Sequence, residues 1–156
     1  MNWPLLIGFK LSWFALVLFQ DQLLVPVLLF IAWFLWRSSP AERWCWLMLA
    51  LVGVSLDSLL LGATVISFKG MVWLPWWMVT LWLVFSLAVV KVFSVYLQNY
   101  MVAAVLAAIA GPLAYKAGAA LSGQMQMNAS IEAVALMMLC WAGLGVLFGW
   151  SRRFYA

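Results

Sequence analysis

An all-α, polytopic transmembrane helix bundle of about six spans is the fold this sequence predicts, and three observations carry that reading. Of 156 residues, 69% are hydrophobic and 8% charged. A soluble domain carries charge on about 25% of its positions, so this surface could not be wetted all round. The apolar residues also run continuously, where barrel strands would alternate polar and apolar over about 10 residues. Finally, a core-spanning helix needs roughly 20 residues, and the chain is long enough for at most about six with short loops. Residues 1–156 therefore read as a single integral membrane domain.

The first span is expected over 3–20, with Pro4 in a first helical turn where its missing N–H costs little. Nothing basic precedes this run and no Ala-x-Ala-like site follows it, so it does not read as a cleaved signal. Gln20-Asp21-Gln22 forms a tight polar turn into a short second span, 23–36. Arg37 to Arg43 is the clearest loop, with Ser39 and Pro40 suited to a turn. The third span, 44–62, carries Asp57 in its apolar run. A looser segment from Ala63 to Trp73 leads to the fourth span, 74–97, and Gln98-Asn99 turns into the fifth, 100–121. Ser122 to Ser130 is a polar loop before the last span, 131–150.

An even number of spans puts both termini on one side. Arg37, Arg43, Arg152 and Arg153 share that side, and the opposite loops hold Lys69. The positive-inside rule then makes the termini cytoplasmic. A five-helix version, with the first two spans as one broken helix, would split the arginines between sides. The two halves show no convincing inverted repeat.

Twelve Trp residues are present. Trp3, Trp33, Trp36, Trp44, Trp46 and Trp150 fit a cytoplasmic interfacial belt, and Trp73, Trp76 and Trp77 an outer one. Trp13, Trp82 and Trp141 fall near mid-span and are candidates to line a pocket with Asp57, since a buried indole N–H wants a partner. In the fifth span Ala103, Ala107, Gly111, Ala114 and Gly118 recur at three- and four-residue steps, and Gly145 and Gly149 repeat the small-residue pattern in the sixth. Such residues let helix backbones approach where lipid provides little drive for association, so Gly111, Gly118, Gly145 and Gly149 are read as helix-packing positions. Pro112 belongs to the same face and is expected to kink its helix near Ala108.

The ionisable side chains carry what chemistry there is. A carboxylate near the bilayer centre costs about 2.5–3.5 kcal/mol on insertion scales, so Asp57 should face other helices or trapped water. At about 1.5 Å per residue it lies about 20 Å from the cytoplasmic start of its helix, a level similar to that of Lys116. Asp57 and Lys116 are thus the expected intramembrane ion pair, with Ser58 and Tyr115 as hydrogen-bonding neighbours. The alternative is that Lys116 snorkels outward and Asp57 is protonated or hydrogen-bonded. Lys10 and Lys91 lie about 10 Å from the cytoplasmic face and both should snorkel inward. Lys91 also shares a helical stripe with Thr80, Ser94 and Gln98 that can line a polar cavity or merely contact a neighbouring helix.

The chain has no histidine and two cysteines, Cys45 and Cys140, expected at different depths. It therefore lacks an imidazole haem ligand, a histidine-box di-iron site, a His-based triad, a His₃ zinc site and a Cys-x-x-Cys pair. One embedded Asp is no aspartyl dyad, and there is no Gly-rich phosphate loop with a lysine. No catalytic residue, metal site or cofactor is assigned. The net charge of +4 is scattered and forms no basic patch, so nucleic acid is not an expected partner.

Four segments together resemble a known family: Phe9-x-x-x-Trp13-Phe14; Gly53-x-x-x-Asp57-Ser58-Leu59-Leu60; Leu74-Pro75-Trp76 with Leu81-Trp82-x-x-Phe85; and Gly111-Pro112-Leu113-Ala114-Tyr115-x-x-Gly118. They are similar to a bacterial inner-membrane family, domain of unknown function 2878, over nearly the whole chain. Val90-Lys91 stand where that family often carries Asn-His, and Lys10 where it often carries Gln, which argues against a His-dependent enzyme here. Members are often encoded beside cyclopropane-fatty-acid-synthase-like enzymes and envelope-stress genes. The resemblance thus implies a part in membrane-lipid modification or envelope maintenance at the bacterial inner membrane. The expected function is that of an accessory, multi-pass protein binding membrane lipids, with a membrane-protein partner or a second copy as further candidates. The alternatives are a small proton-coupled transporter using Asp57, Lys116 and a hinge at Pro112, a lipid-modifying intramembrane enzyme using Asp57, and a retinal-like Schiff-base pigment.

Overall fold

The computed structural model describes residues 2–156, and 79% of the chain is helical. The helices are α1 (Trp3–Phe19), α2 (Leu24–Trp36), α3 (Pro40–Gly62), α4 (Trp76–Lys91), α5 (Tyr100–Ser122) and α6 (Ile131–Ser151). Single 3₁₀ turns follow α1, α4 and α6, at Gln20–Leu23, Phe93–Val95 and Arg152–Phe154. Two three-residue strands, β1 (Ile66–Phe68) and β2 (Met125–Met127), pair antiparallel with Ser67 opposite Gln126.

Four stretches are long and apolar enough to cross a membrane: Trp3–Trp36, Pro40–Gly62, Tyr100–Ser122 and Ile131–Phe154; Trp76–Lys91 is a shorter apolar helix. The first stretch is folded back on itself. Gln20 adopts φ 52° and ends α1, and the Phe30 ring of α2 packs over Gly8 of α1. A continuous helix would hold those two residues about 33 Å apart.

Hydrogen bonds fix which helix ends meet. At one end Arg43 donates to the carbonyls of Leu35 and Trp36, Lys91 pairs with Glu42, and the Arg152–Phe154 turn packs on α3. At the other end Gln20 Nε2 donates to the Ser122 carbonyl, the Trp77 backbone N–H donates to Asp21 Oδ1, and β1 meets β2. All six helices therefore run between the same two ends, alternating in direction.

Local signals explain most helix starts. Asn2, Ser39, Asn99 and Ser130 each accept a first-turn backbone N–H through the side chain. Helix α4 begins after Pro75, which offers no such oxygen, and takes its capping carboxylate from Asp21 of the distant turn instead.

Three expectations are corrected. Residues 40–43 are helical rather than loop, because Ser39 and Glu42 form a capping box and α3 starts four residues earlier than the apolar run. The fourth helix covers 76–91, not 74–97, and breaks into the Phe93–Val95 turn. The segments read as unstructured loops around 63–73 and 122–130 contribute the β1–β2 ribbon, a pairing between residues about sixty apart that has no local sequence signal.

Helix α4 is the buried centre, covered on most of its surface, and packs against α1, α2 and α3. Helices α5 and α6 pack most closely on each other, and their backbones approach α1 and α3 only sparingly. The contact rests on Gly145, where any Cβ would meet the Ala103 backbone, and on Gly149, where it would meet the Tyr100 ring. Gly143, two residues earlier, faces open space. Gly145→Leu should therefore destabilise the fold by more than about 1–3 kcal/mol, the cost of an ordinary overpacked core, since backbone must move, and be read as a sharp drop of the melting temperature in detergent. Gly143→Ala should leave it unchanged or slightly raised.

Candidate functional site

Asp57 is fully buried, at 0% exposure. Its Oδ2 accepts a hydrogen bond from the Trp82 indole Nε1 at 2.7 Å, and its Oδ1 accepts one from the Tyr115 hydroxyl. One carboxyl group thus joins α3, α4 and α5. Gly53, one helical turn before Asp57, makes this possible: a Cβ there would lie inside the Trp82 ring system. The indole lies flat on the Gly53 face and directs its N–H one turn further along α3.

The same arrangement recurs on α5. A Cβ at Gly111 would lie inside the Trp141 rings, and Tyr115, one turn on, meets Trp141 edge to face at 6.0 Å and 75°. Trp82 and Trp141 are in turn stacked, 5.6 Å apart and 21° from parallel. Aromatic pairs of this kind contribute about 0.5–1.5 kcal/mol beyond their buried area. The stack and the Asp57 bonds tie the α5–α6 hairpin to α3 and α4, together with the contacts of Phe85 with Trp141 and Phe148 and the β1–β2 ribbon.

The ion pair expected between Asp57 and Lys116 does not form. Successive residues on a helix point about 100° apart, so Tyr115 reaches Asp57 and Lys116 is exposed. Ser58 is also exposed and donates to the Val54 carbonyl of its own helix at 2.8 Å. The one salt bridge among the described residues joins Lys91 to Glu42 at 2.7 Å, at the end of the bundle. Glu42 thereby serves the α3 capping box and Lys91 at once. Thr80, Lys91, Ser94 and Gln98 are not among the residues that line the cleft beside Asp57.

A cleft of about 470 Å³ lies beside the buried carboxyl. Helix α4 forms its floor through Trp82, Phe85 and Val89; α1 contributes Phe9, Trp13 and Val17; α6 contributes Trp141 and Phe148. Helix α5 lines it with Ala103, Ala107, Ala110, Ala114, Tyr115 and Gly118. Ala110, Ala114 and Leu106 are exposed as well as lining, so the cleft opens sideways, between α1 and α5. Trp13, Trp82 and Trp141 all line it, whereas Asp57 lies behind Tyr115 and Trp82.

Two sequence readings change here. The small residues of α5 were expected to receive a neighbouring helix, but Ala107, Ala114 and Gly118 instead leave the cleft open; Gly118 makes ordinary contact with Met125. Buried Pro112 adjoins Gly111 within the unbroken α5 assignment. Trp77, expected in an outer belt, is 1% exposed and packs edge-on against Phe68 of β1. Among the described residues no three His, Cys, Asp or Glu side chains come together to hold a metal, and Cys45 and Cys140 are free.

Comparison with known families finds one described as protein of unknown function (DUF2878), which matches residues 2–147. No curated protein and no solved structure matches the chain. The four long apolar helical stretches are compatible with a membrane protein.

Tyr115→Phe should cost about 1–3 kcal/mol, because it strips a donor from a carboxyl that water does not reach. Lys116→Gln should cost nothing measurable. Denaturant unfolding in mixed micelles distinguishes these; equal stability of the two variants would remove Asp57 from its place in the fold.

Proposed function

We propose that this chain, which belongs to the DUF2878 family, is an accessory protein of the bacterial inner membrane that holds a lipid chain in the cleft between α1 and α5. In this reading all six helices cross the bilayer. Helices α1, α2 and α4, with 17, 13 and 16 residues, reach about 20–26 Å, short of the ~30 Å hydrocarbon core. Local thinning and the flanking 3₁₀ turns offset that mismatch. Arg37, Arg43, Arg152 and Arg153 gather at the end where α1 begins and α6 ends, and the positive-inside rule supports reading that end as cytoplasmic.

The single observation that carries the lipid-binding role is the cleft itself: elongated, lined by aromatic and small side chains, and open to the membrane at its side. From Ala103 to Gly118 it follows α5 for about 22 Å. A lipid chain gains little from leaving one apolar medium for another, so selectivity here comes from shape and van der Waals fit. Accessory binding is favoured over catalysis because both Asp57 oxygens are already engaged and the carboxyl does not line the cleft. The transport reading used Asp57 with Lys116 and the Schiff-base reading a lysine near an Asp, whereas Lys116 is exposed and Asp57 is buried against Trp82 and Tyr115.

Native mass spectrometry after mild-detergent purification tests the binding. Wild type should retain lipid, and Ala110→Phe, which fills the cleft mouth, should reduce retention to detergent background with the fold intact. Equal lipid in both would sink the reading. The topology predicts that a cysteine replacing Lys69 is labelled from the periplasm and one replacing Arg153 only from the cytoplasm.

A further inference from the structure

We infer that the occupant of the cleft carries a carbonyl oxygen at the root of its apolar chain, and that this oxygen accepts the Trp77 indole N–H. This rests on the lipid-binding reading above and adds a polar contact and a direction for the chain. Trp77 lines the cleft and is 1% exposed. Its Nε1 finds no acceptor among the described residues. Phe68 meets the indole edge to face at 5.8 Å and supplies no oxygen. The Trp77 backbone N–H is satisfied separately, by Asp21 Oδ1 at 3.0 Å.

The other inward-facing indoles are provided for. Trp82 donates to Asp57 Oδ2 at 2.7 Å, and Trp46 to the Leu83 carbonyl at 2.8 Å. Trp141 Nε1, without a well-formed bond, lies beside the Tyr115 hydroxyl. Trp77 is left with a desolvated donor, a state that weakens a fold unless something pairs with it. A water there would need two to four polar partners, and Val17, Met78, Gly118 and Met125, which line the same cleft, are apolar. The acceptor therefore arrives on the apolar guest itself. A phosphate oxygen would bring its charge to a lining that holds no charged residue, so a neutral carbonyl is the acceptor that fits. Trp77 stands in the first turn of α4 beside β1, whereas Phe93 and Leu97, beyond the end of α4, line the opposite end of the cleft. A carbonyl on Trp77 thus sets the chain running from the ribbon end along α5 toward Phe93. Two lipid classes present such an oxygen: the ester of a glycerolipid and the ring carbonyl of an isoprenoid quinone.

The test is native mass spectrometry of the intact chain with a diester phospholipid, its diether analogue of identical headgroup and chains, and an isoprenoid quinone. The ether lacks the carbonyl. Wild type should hold the ester or the quinone about three- to tenfold better than the ether, and whichever is preferred names the source of the oxygen. Trp77→Phe removes the N–H and should bring that ratio to about one. The ratio is taken within one protein, so a general loss of binding or stability cancels. On wild type alone, the infrared band of the isotope-labelled carbonyl of the preferred ligand should move to lower frequency on binding. Ether retained as well as both others, a preference that survives in Trp77→Phe, or an unshifted band overturns the carbonyl assignment and leaves the cleft reading standing. Wild type that holds none of the three overturns both.

Discussion

A carboxyl group inside an apolar helix bundle stays there only if other side chains replace water around it, and the arrangement of this protein follows from that requirement at Asp57. Its two oxygens take donors from two different helices, the Trp82 indole and the Tyr115 hydroxyl. Losing either donor leaves a desolvated acceptor, a penalty of about 1–3 kcal/mol. The bonds consequently specify position as well as affinity. Trp82 must lie flat on α3, which demands glycine at 53, and Trp141 must stack behind it, which demands glycine at 111. Two glycines, two indoles and two polar groups form one interlocked unit between the α5–α6 hairpin and the remaining helices.

That unit was half visible in the sequence. An acidic residue in an apolar run announces itself, and position picked out Trp13, Trp82 and Trp141 as mid-span, although it also placed the buried Trp77 in an interfacial belt. The partner of Asp57 was another matter. Depth along a helix follows from counting residues, but facing depends on the rotation of α5 about its axis, and a difference of one residue exchanges Lys116 for Tyr115. Charge complementarity favoured the lysine; in the folded chain the lysine keeps its solvation and the phenol, with less to lose on burial, takes the interior place.

The fold shows the same division between local and non-local information. Helix existence followed from composition and run length. Starts were mistaken where a cap lay outside the apolar run: Ser39-Pro40-Ala41-Glu42 is a capping-box sequence, yet it was read as turn because its residues are polar. The β1–β2 ribbon and the Asp21 cap on α4 join residues about sixty positions apart, beyond the range of any local pattern. The small-residue face of α5 had an ambiguous meaning from the start. Small side chains permit either a close neighbour or an empty channel, and only the opposing surface decides between them. Here both occur: Ala103 and Gly111 receive Gly145 and the Trp141 ring of α6, while Ala107, Ala114 and Gly118 form a wall of the cleft that also holds aromatic side chains of α1 and α4.

The β1–β2 ribbon has a consequence for how the bundle comes together. Helices α5 and α6 are adjacent in the chain and make their closest contacts with each other, so they form a hairpin at small loop-closure cost. The ribbon links the α3–α4 connection to the α5–α6 connection, a long-range closure that forms after the local pairs it joins. Three backbone positions on each strand thus act as a latch between two pre-assembled parts. The ribbon thereby ties the α3–α4 and α5–α6 connections together at the end of the bundle away from the Arg43 and Lys91 contacts, and leaves the side between α1 and α5 as the opening of the cleft.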